Sequence, residues 1–256
     1  MTSRPLLIFD FDGVIVDGMY EYWWSSRRAC LNLLEEKSIA NSLPNSVPPA
    51  FRQLRPWVLH GWEMVLFALE LTRADSLLRQ QGVEAFTSQY QFHCQKTLAN
   101  LGFNPSQLQK SLENVRAQAI TSNFQHWLAL HKPFPDVLRK LIQLDSEGID
   151  FAVLTTKGKE FTAELLKAFH LQPKFLYGHE AGSKTEVLLQ LKKLFIIRGF
   201  IEDRRTTLEQ VLQIPDLGSI PCYLAAWGYL KPTDIQDLPP GISLLELKTL
   251  TSPLAS

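Results

Sequence analysis

The chain of 256 residues carries 26 basic and 26 acidic side chains, so its formal net charge is zero, and 45% of its residues are hydrophobic. Its length allows one large domain or two smaller ones. The balanced charge offers no broad basic field for nucleic acid or for an anionic membrane surface. No apolar stretch approaches the roughly 20 residues of a membrane helix, and no signal-peptide pattern is visible. We therefore expect a cytoplasmic protein without nucleic-acid or membrane partners.

The cysteines are odd in number, scattered and without a CxxC spacing, which argues against a disulfide framework or a zinc site. We expect them to be buried free thiols in a reducing compartment. They are Cys30, Cys94 and Cys222.

The first predicted element is an apolar strand that begins near Pro5 and ends in Asp10 and Asp12. Residues two apart along a strand point the same way, so both carboxylates start on one side of the chain. Two close carboxylates repel each other unless a cation lies between them, and Mg²⁺ is the usual partner. Taken alone, the pattern also fits a strand that is capped by a polar turn, with Asp12-Gly13 as turn residues.

A long helical segment follows, since no strand pattern occurs from about Tyr20 to His131. The segment around Asn104 and Pro105 has an N-cap residue followed by proline at the first helical position. A proline-rich stretch, 41–49, predicts a loop. The predicted helices cover Tyr20 to Leu34, Gly61 to Leu71, Val83 to Leu101, and Pro105 to about Leu130.

Beyond Pro135 the pattern alternates between strand and helix. Such alternation predicts a parallel sheet with helices on both faces and right-handed crossovers. The predicted strands are Phe151 to Leu154, Phe175 to Tyr177, Gly199 to Asp203, Cys222 to Ala225 and Ile242 to Leu245. The predicted helices are Asp136 to Glu147, Glu160 to Phe169, Lys184 to Leu194 and Thr206 to Gln213. We therefore predict an α/β core domain of residues 1–17 and 132–256, interrupted by a helical domain of residues 18–131.

Chemically useful side chains stand at the ends of several of these elements. The carboxyl ends of parallel strands meet at one sheet edge, so the groups can converge there. Each also has an ordinary interpretation: a turn hydroxyl, a solvated surface lysine, or acids that cap a helix. The residues are Asp10, Asp12, Thr155, Thr156, Lys157, Lys184, Glu202 and Asp203.

In this order the residues resemble the four-motif signature of the haloacid dehalogenase-like superfamily of phosphohydrolases. Asp10-Phe11-Asp12-Gly13-Val14 is the specific motif, while the hydroxyl after the second strand and the later lysine are individually weak. The resemblance covers the α/β portion, and the insert resembles the C1-type cap of that superfamily. It implies a Rossmann-like parallel sheet core with an inserted α-helical cap domain.

The resemblance also implies roles. Asp10 is the expected nucleophile, which forms an aspartyl-phosphate, and Asp12 the expected general acid and base. Thr155 is expected to donate to a phosphoryl oxygen, with Thr156 as a near-equivalent candidate. Lys184 is expected to hold nucleophile and phosphate by its charge.

Mg²⁺ is the cofactor that the resemblance implies, bound by Asp10, Asp203 and the backbone carbonyl of Asp12. The fourth motif departs from the commonest pattern, in which a second acid follows four or five residues after the first; Thr207 and Leu208 stand there instead. The adjacent pair Glu202-Asp203 is similar to a double-acid variant, with Asp203 expected to touch the metal directly and Glu202 through water.

For substrate binding we single out Lys157 beside the phosphate site and, in the insert, Arg55 and His60. Arginine suits a second anionic group on a substrate. The aromatic residues around Arg55 also fit a cap core, and His60 also fits a structural histidine.

The resulting hypothesis is a Mg²⁺-dependent phosphatase that hydrolyses a small phosphorylated metabolite, a phosphomonoester, through an aspartyl-phosphate. The alternatives are a phosphomutase of the same fold and a catalytically degenerate binding or regulatory module. The sequence leaves the oligomeric state open.

Overall fold

The computed structural model describes residues 4–34 and 43–252. Within these ranges the strands are β1 (Leu6–Phe9), β2 (Val16–Asp17), β3 (Lys132–Pro133), β4 (Asp150–Leu154), β5 (Phe175–Tyr177), β6 (Ile197–Glu202), β7 (Cys222–Ala225) and β8 (Ile242–Leu245). The helices are α1 (Met19–Leu34), α2 (Pro49–Leu54), α3 (Gly61–Thr72), α4 (Leu77–Ser88), α5 (Tyr90–Leu101), α6 (Pro105–Ala129), α7 (Pro135–Gln143), α8 (Lys159–Ala168), α9 (Lys184–Lys192), α10 (Arg205–Leu212) and α11 (Leu247–Leu250).

Residue contacts divide the chain into two compact units. The core unit joins the residues up to Asp17 with those from Lys132 onward, and the helical unit runs from Gly18 to His131. Among the helices in the described part of the chain, none is both long enough and apolar enough to cross a membrane.

The core unit is built on a six-stranded sheet in the order β5-β4-β1-β6-β7-β8. Every neighbouring pair in it is parallel, which confirms the predicted α/β fold. A separate antiparallel pair joins β2 to β3, with Val16 opposite Pro133 and Asp17 opposite Lys132. The sequence did not predict either of these short strands.

Strand β1 lies in the middle of this sheet and is buried on both faces, as its unbroken apolar run requires. Leu6 and Ile8 belong to a buried cluster that includes Leu188 of α9 and Leu208 of α10. Phe9, the next residue along the strand, points to the opposite face of the sheet. There its ring packs edge-on against Phe151, with ring centroids 6.4 Å apart. The central position of β1 brings Asp10 to the middle of the carboxyl edge of the sheet.

The helical unit is held together by α1, α3 and α6, which pack against one another. Trp23 of α1 is buried against the edge of Phe51, and Phe51 in turn meets Phe67. The buried carboxylate of Glu21 accepts two hydrogen bonds from Arg116, at 2.7 and 2.8 Å. The aromatic contacts therefore join α1, α2 and α3, and the buried ion pair joins α1 to α6.

The prediction of one helix from Val83 to Leu101 is wrong, because two helices, α4 and α5, occupy this region. They are separated at Gln89, whose φ of −135° and ψ of 55° lie outside the helical range. Just before it, the hydroxyls of Thr87 and Ser88 donate to backbone carbonyls one turn back. Such side-chain bonds compete with helix continuation.

The structure also tests the predicted end of one helix, one predicted loop and the state of the cysteines. The helix expected to end at Glu147 ends at Gln143. The loop predicted over 41–49 lies partly outside the described residues, and α2 begins at Pro49. The prediction of buried free thiols is confirmed at Cys30, Cys94 and Cys222.

Candidate active site

Lys184 joins two carboxylates at the carboxyl edge of the sheet. Its ammonium donates to Oδ1 of Asp10 at 2.8 Å and to Oε2 of Glu202 at 2.5 Å. Lys184 is the first residue of α9, whose start is fixed by a capping box between Ser183 and Glu186. The local sequence Ser-x-x-Glu thus fixes where the helix begins, and the lysine is presented to the end of the sheet.

Glu202 and Asp203 stand at the end of β6, next to β1. The Oε1 atom of Glu202 accepts from the backbone N–H groups of Asp203 and Arg204, at 3.2 and 3.1 Å. The Oδ2 atom of Asp203 accepts from the backbone N–H of Tyr229 at 2.9 Å. Carboxylate oxygens of Asp10, Glu202 and Asp203 lie within 4.8 Å of one another, and all three residues are buried.

Two glycines leave the space that Asp203 occupies. A Cβ atom on Gly13 would lie 1.9 Å from Oδ2 of Asp203, and Gly13 also has a φ of +87° that disfavours other residues. A Cβ atom on Gly228 would lie 2.3 Å from Cβ of Asp203. The carboxylate is therefore enclosed by backbone on two sides.

Asp12 is paired with Lys157, a contact that the sequence did not predict. The ammonium of Lys157 lies 3.2 and 3.3 Å from the two carboxylate oxygens of Asp12. The backbone N–H of Lys157 donates to the buried Oγ1 of Thr155 at 3.1 Å, which forms a hydroxyl-stabilised turn after β4. Thr156 at the same turn is exposed, so the structure separates the two threonines by burial.

The electrostatics of the site are dominated by crowded, buried carboxylates. Burial, and then the charge of Glu202, raise the pKa of Asp10 to about 7, although Lys184 acts in the opposite direction. Burial alone would lower the pKa of Lys184, but the charges of Asp10 and Glu202 outweigh it and raise that pKa. The lysine therefore stays charged, while Asp10 retains an affinity for protons near neutral pH.

This donor set fits a hard divalent cation. It offers carboxylate oxygens from Asp10, Glu202 and Asp203, the ligand type that Mg²⁺ prefers. Lys184 offsets one of the three negative charges, so an added cation would relieve the remaining repulsion. The side chain of Asp12 is outside this group and engaged with Lys157, and binding of Mg²⁺ through its backbone carbonyl stays a prediction.

The core unit brings together most of the residues singled out from the sequence. Arg55 and His60 belong to the helical unit, and their substrate-binding role stays a prediction. The guanidinium of Arg55 lies 4.9 Å from the ring centroid of Tyr22. His60 is exposed, its ring is stacked near Trp62 at 6.5 Å, and its backbone N–H donates to Glu63 at 3.3 Å.

Sequence reasoning missed the loop after β7, which holds Asp203 through Tyr229. The available signal was its position: the loop follows the carboxyl end of a predicted parallel strand, at the edge where ligands bind. The Gly228-Tyr229 pair at this point carried no recognised motif, so nothing marked it as part of the site.

No protein-family model matches the sequence, and no curated protein matches it. Solved structures do match over nearly the whole chain. One is a predicted phosphatase from Clostridium acetobutylicum, at 14% identity and a TM-score of 0.55, covering 98% of this chain and 97% of that one. Another is a haloacid dehalogenase-like family hydrolase from Streptococcus pneumoniae, at 16% identity and a TM-score of 0.56, with 97% of each chain covered.

A third match is a candidate beta-phosphoglucomutase from Thermotoga maritima, at 16% identity and a TM-score of 0.52, with 97% of each chain covered. At these identities the likeness concerns the fold. The chain has the haloacid dehalogenase-like fold: a parallel α/β core with a helical insert that follows β2 in the chain.

Proposed function

We propose that this protein is a Mg²⁺-dependent phosphatase that hydrolyses a phosphomonoester of a small metabolite through an aspartyl-phosphate on Asp10. The observation that carries the proposal is the buried group of Asp10, Glu202 and Asp203, with Lys184 bridging two of its members. A nucleophile, a hard-cation donor set and a fixed positive charge stand together at the end of a central strand. Phosphoryl transfer requires mainly such positioning and charge stabilisation.

In the first step, an oxygen of the Asp10 carboxylate attacks phosphorus as the bond to the substrate oxygen breaks. Asp12 reacts in its protonated form: it gives its proton to that leaving oxygen, and the carboxylate that results pairs with Lys157. In the second step, water attacks phosphorus, Asp12 takes up the proton of the water, and the acyl-phosphate bond breaks to release inorganic phosphate and the free carboxylate. Two easier displacements thus replace one difficult hydrolysis.

The remaining side chains hold these groups. Lys184 fixes Oδ1 of Asp10 and brings a positive charge towards the incoming phosphate. Lys157 holds the carboxylate of Asp12. Thr155 donates its hydroxyl hydrogen to a phosphoryl oxygen, while its Oγ1 accepts a hydrogen bond from the backbone N–H of Lys157. Mg²⁺, when bound by Asp10 and Asp203, reduces the repulsion between an anionic nucleophile and an anionic phosphate.

The helical insert favours a small substrate. Residues 18–131 follow the proposed catalytic loop closely in the sequence. This is the position expected of a cap domain that restricts access. Arg55 is the proposed partner for a second anionic group of the metabolite.

The test is phosphate release from a panel of small phosphomonoesters, with Mg²⁺ and with EDTA. We expect Mg²⁺-dependent release, strongest for one metabolite, and its loss in Asp10→Asn without loss of folding. The matched control is Asp145→Asn, the same change at a side chain that is 88% exposed, which should keep full activity. Turnover by Asp10→Asn at the wild-type rate would refute the mechanism.

A phosphomutase is the second candidate, since one solved structure with this fold is a candidate beta-phosphoglucomutase. It would use the same aspartyl-phosphate and pass the phosphoryl group to a sugar hydroxyl instead of water. Incubation of the phosphorylated protein with sugar monophosphates separates the two: transfer to sugar indicates a mutase, and release of inorganic phosphate a phosphatase. A protein that neither binds Mg²⁺ nor forms a phosphoenzyme would be a binding module.

A further inference from the structure

The loop after β7 contacts residues 14–17, which end with β2, at both ends of its Trp-Gly-Tyr sequence. The indole N–H of Trp227 donates to the backbone oxygen of Val14 at 3.0 Å. The hydroxyl of Tyr229 donates to Oδ1 of Asp17 at 2.7 Å. Asp17 is itself in β2, paired with Lys132 of β3. The loop is thus tied to the segment that begins with the predicted catalytic motif.

The same loop forms one wall around Asp203. The backbone N–H of Tyr229 donates to Oδ2 of Asp203, and Gly228 approaches the Cβ atom of Asp203 too closely for any side chain. The ring of Tyr229 lies against Gly13, where an added Cβ would come within 2.9 Å of it. Asp203 is therefore held between this loop and Gly13, and the hydroxyl of Tyr229 bonds the loop to β2.

We propose that Tyr229 is a positioning residue for the metal site: its hydrogen bond to Asp17 keeps the loop in the place where its backbone N–H orients Asp203 for Mg²⁺. Tyr229 does not itself touch the metal. The inference rests on the proposed function, because it takes the Asp10–Asp203 group to be the Mg²⁺ site. It adds a residue that none of the four sequence motifs contains.

The test is Tyr229→Phe, which removes only the hydroxyl and keeps both the ring and the backbone N–H. Mg²⁺ binding is measured by isothermal titration calorimetry with the metal alone, so the readout does not depend on turnover. We expect the dissociation constant for Mg²⁺ to rise about tenfold, or about 1.4 kcal/mol, since a hydrogen bond to a carboxylate contributes on this scale. Saturating Mg²⁺ should restore the phosphatase activity of the variant.

The matched control is Tyr223→Phe, which removes a hydroxyl from β7 itself, where the ring packs over Gly199. It should leave Mg²⁺ binding unchanged. A second variant, Asp17→Ala, removes the acceptor and should also weaken Mg²⁺ binding. In the Asp17→Ala background, Tyr229→Phe should then change the dissociation constant by less than about twofold, because the shared bond is already absent.

The outcomes separate this inference from the proposed function. If the wild type binds Mg²⁺ and Tyr229→Phe binds it equally well, the positioning role is wrong and the phosphatase proposal stands. If Tyr229→Phe weakens binding by the same factor with and without Asp17, the bond between them is not the cause, and the inference is again overturned. If the wild type binds no Mg²⁺, both proposals fail together.

Discussion

Replacing Lys184 with methionine would leave two buried carboxylates without the cation that bridges them. Lys184 has 12% of its side chain exposed, against 8% for Asp10 and 2% for Glu202, so water can replace little of the lost interaction. Removing one partner of a buried ion pair typically costs about 3–5 kcal/mol, a large part of the roughly 5–15 kcal/mol that stabilises a domain. We expect a loss of that size in the free energy of unfolding at pH 8 without divalent metal.

The assay is urea unfolding, followed by circular dichroism, in EDTA. The comparison variant is Lys174→Met, which removes a lysine from a more exposed ion pair with Asp150, where 37% of the lysine side chain is accessible. Exposed pairs contribute about 0–1 kcal/mol. If Lys184→Met is destabilised no more than Lys174→Met, the argument that Lys184 offsets buried charge is refuted.

The cost of Lys184→Met should also depend on pH. The pKa of Asp10 is raised from 3.8 to about 7 in the folded protein, so its folded state keeps a proton that the unfolded chain releases between these values. Its contribution to stability is complete below about pH 4 and is lost as the pH rises through 7. Lys184 opposes this rise, so its removal extends the protonated range upward. The destabilisation by Lys184→Met should therefore be smaller at pH 6 than at pH 8.

Two further predictions concern the proposed Mg²⁺ site. Binding of Mg²⁺ to the folded protein is expected to raise its melting temperature. Gly13→Ala should abolish this increase, because its new Cβ would lie 1.9 Å from Oδ2 of Asp203. Gly102→Ala, at a φ of +69° with no neighbour within 4 Å, introduces similar backbone strain and should keep the increase. Mg²⁺ should bind about tenfold more weakly at pH 6 than at pH 8, since it competes with the proton on Asp10. Equal dissociation constants at the two pH values, measured by calorimetry, would contradict the raised pKa of Asp10.

The sheet and its first loop were predictable because their signals are local. The four residues of β1 are apolar and fully buried, as a central parallel strand requires, and polar residues mark where it ends. The start of α6 was predictable for the same reason: Asn104 and Gln107 form a capping box around Pro105. Each feature is written within a few consecutive residues.

The contacts that complete the site were not predictable, because they join distant residues with ordinary neighbours. Lys157 is 145 residues from Asp12, and a lysine in a turn is equally well interpreted as a solvated surface residue. Tyr229 reaches Asp203 through its backbone N–H, a group that every residue except proline has and that side-chain patterns cannot reveal. The division between α4 and α5 was missed since it depends on backbone angles at Gln89 that a periodic pattern does not encode.

The central place of β1 has a consequence for how the chain folds during synthesis. This strand is made before both of its neighbours in the sheet: Leu6 pairs with Asp150 on one side and with Ile197 on the other. Its pairing must wait until both have left the ribosome, and the entropy of closing such long loops must be overcome before the sheet forms. The helical unit ends at His131 and is fully synthesised before either partner strand. The residues that would carry the chemistry at the end of β1 are therefore made before the helical unit and before both neighbouring strands, and they gain their surroundings only after β6 has been made.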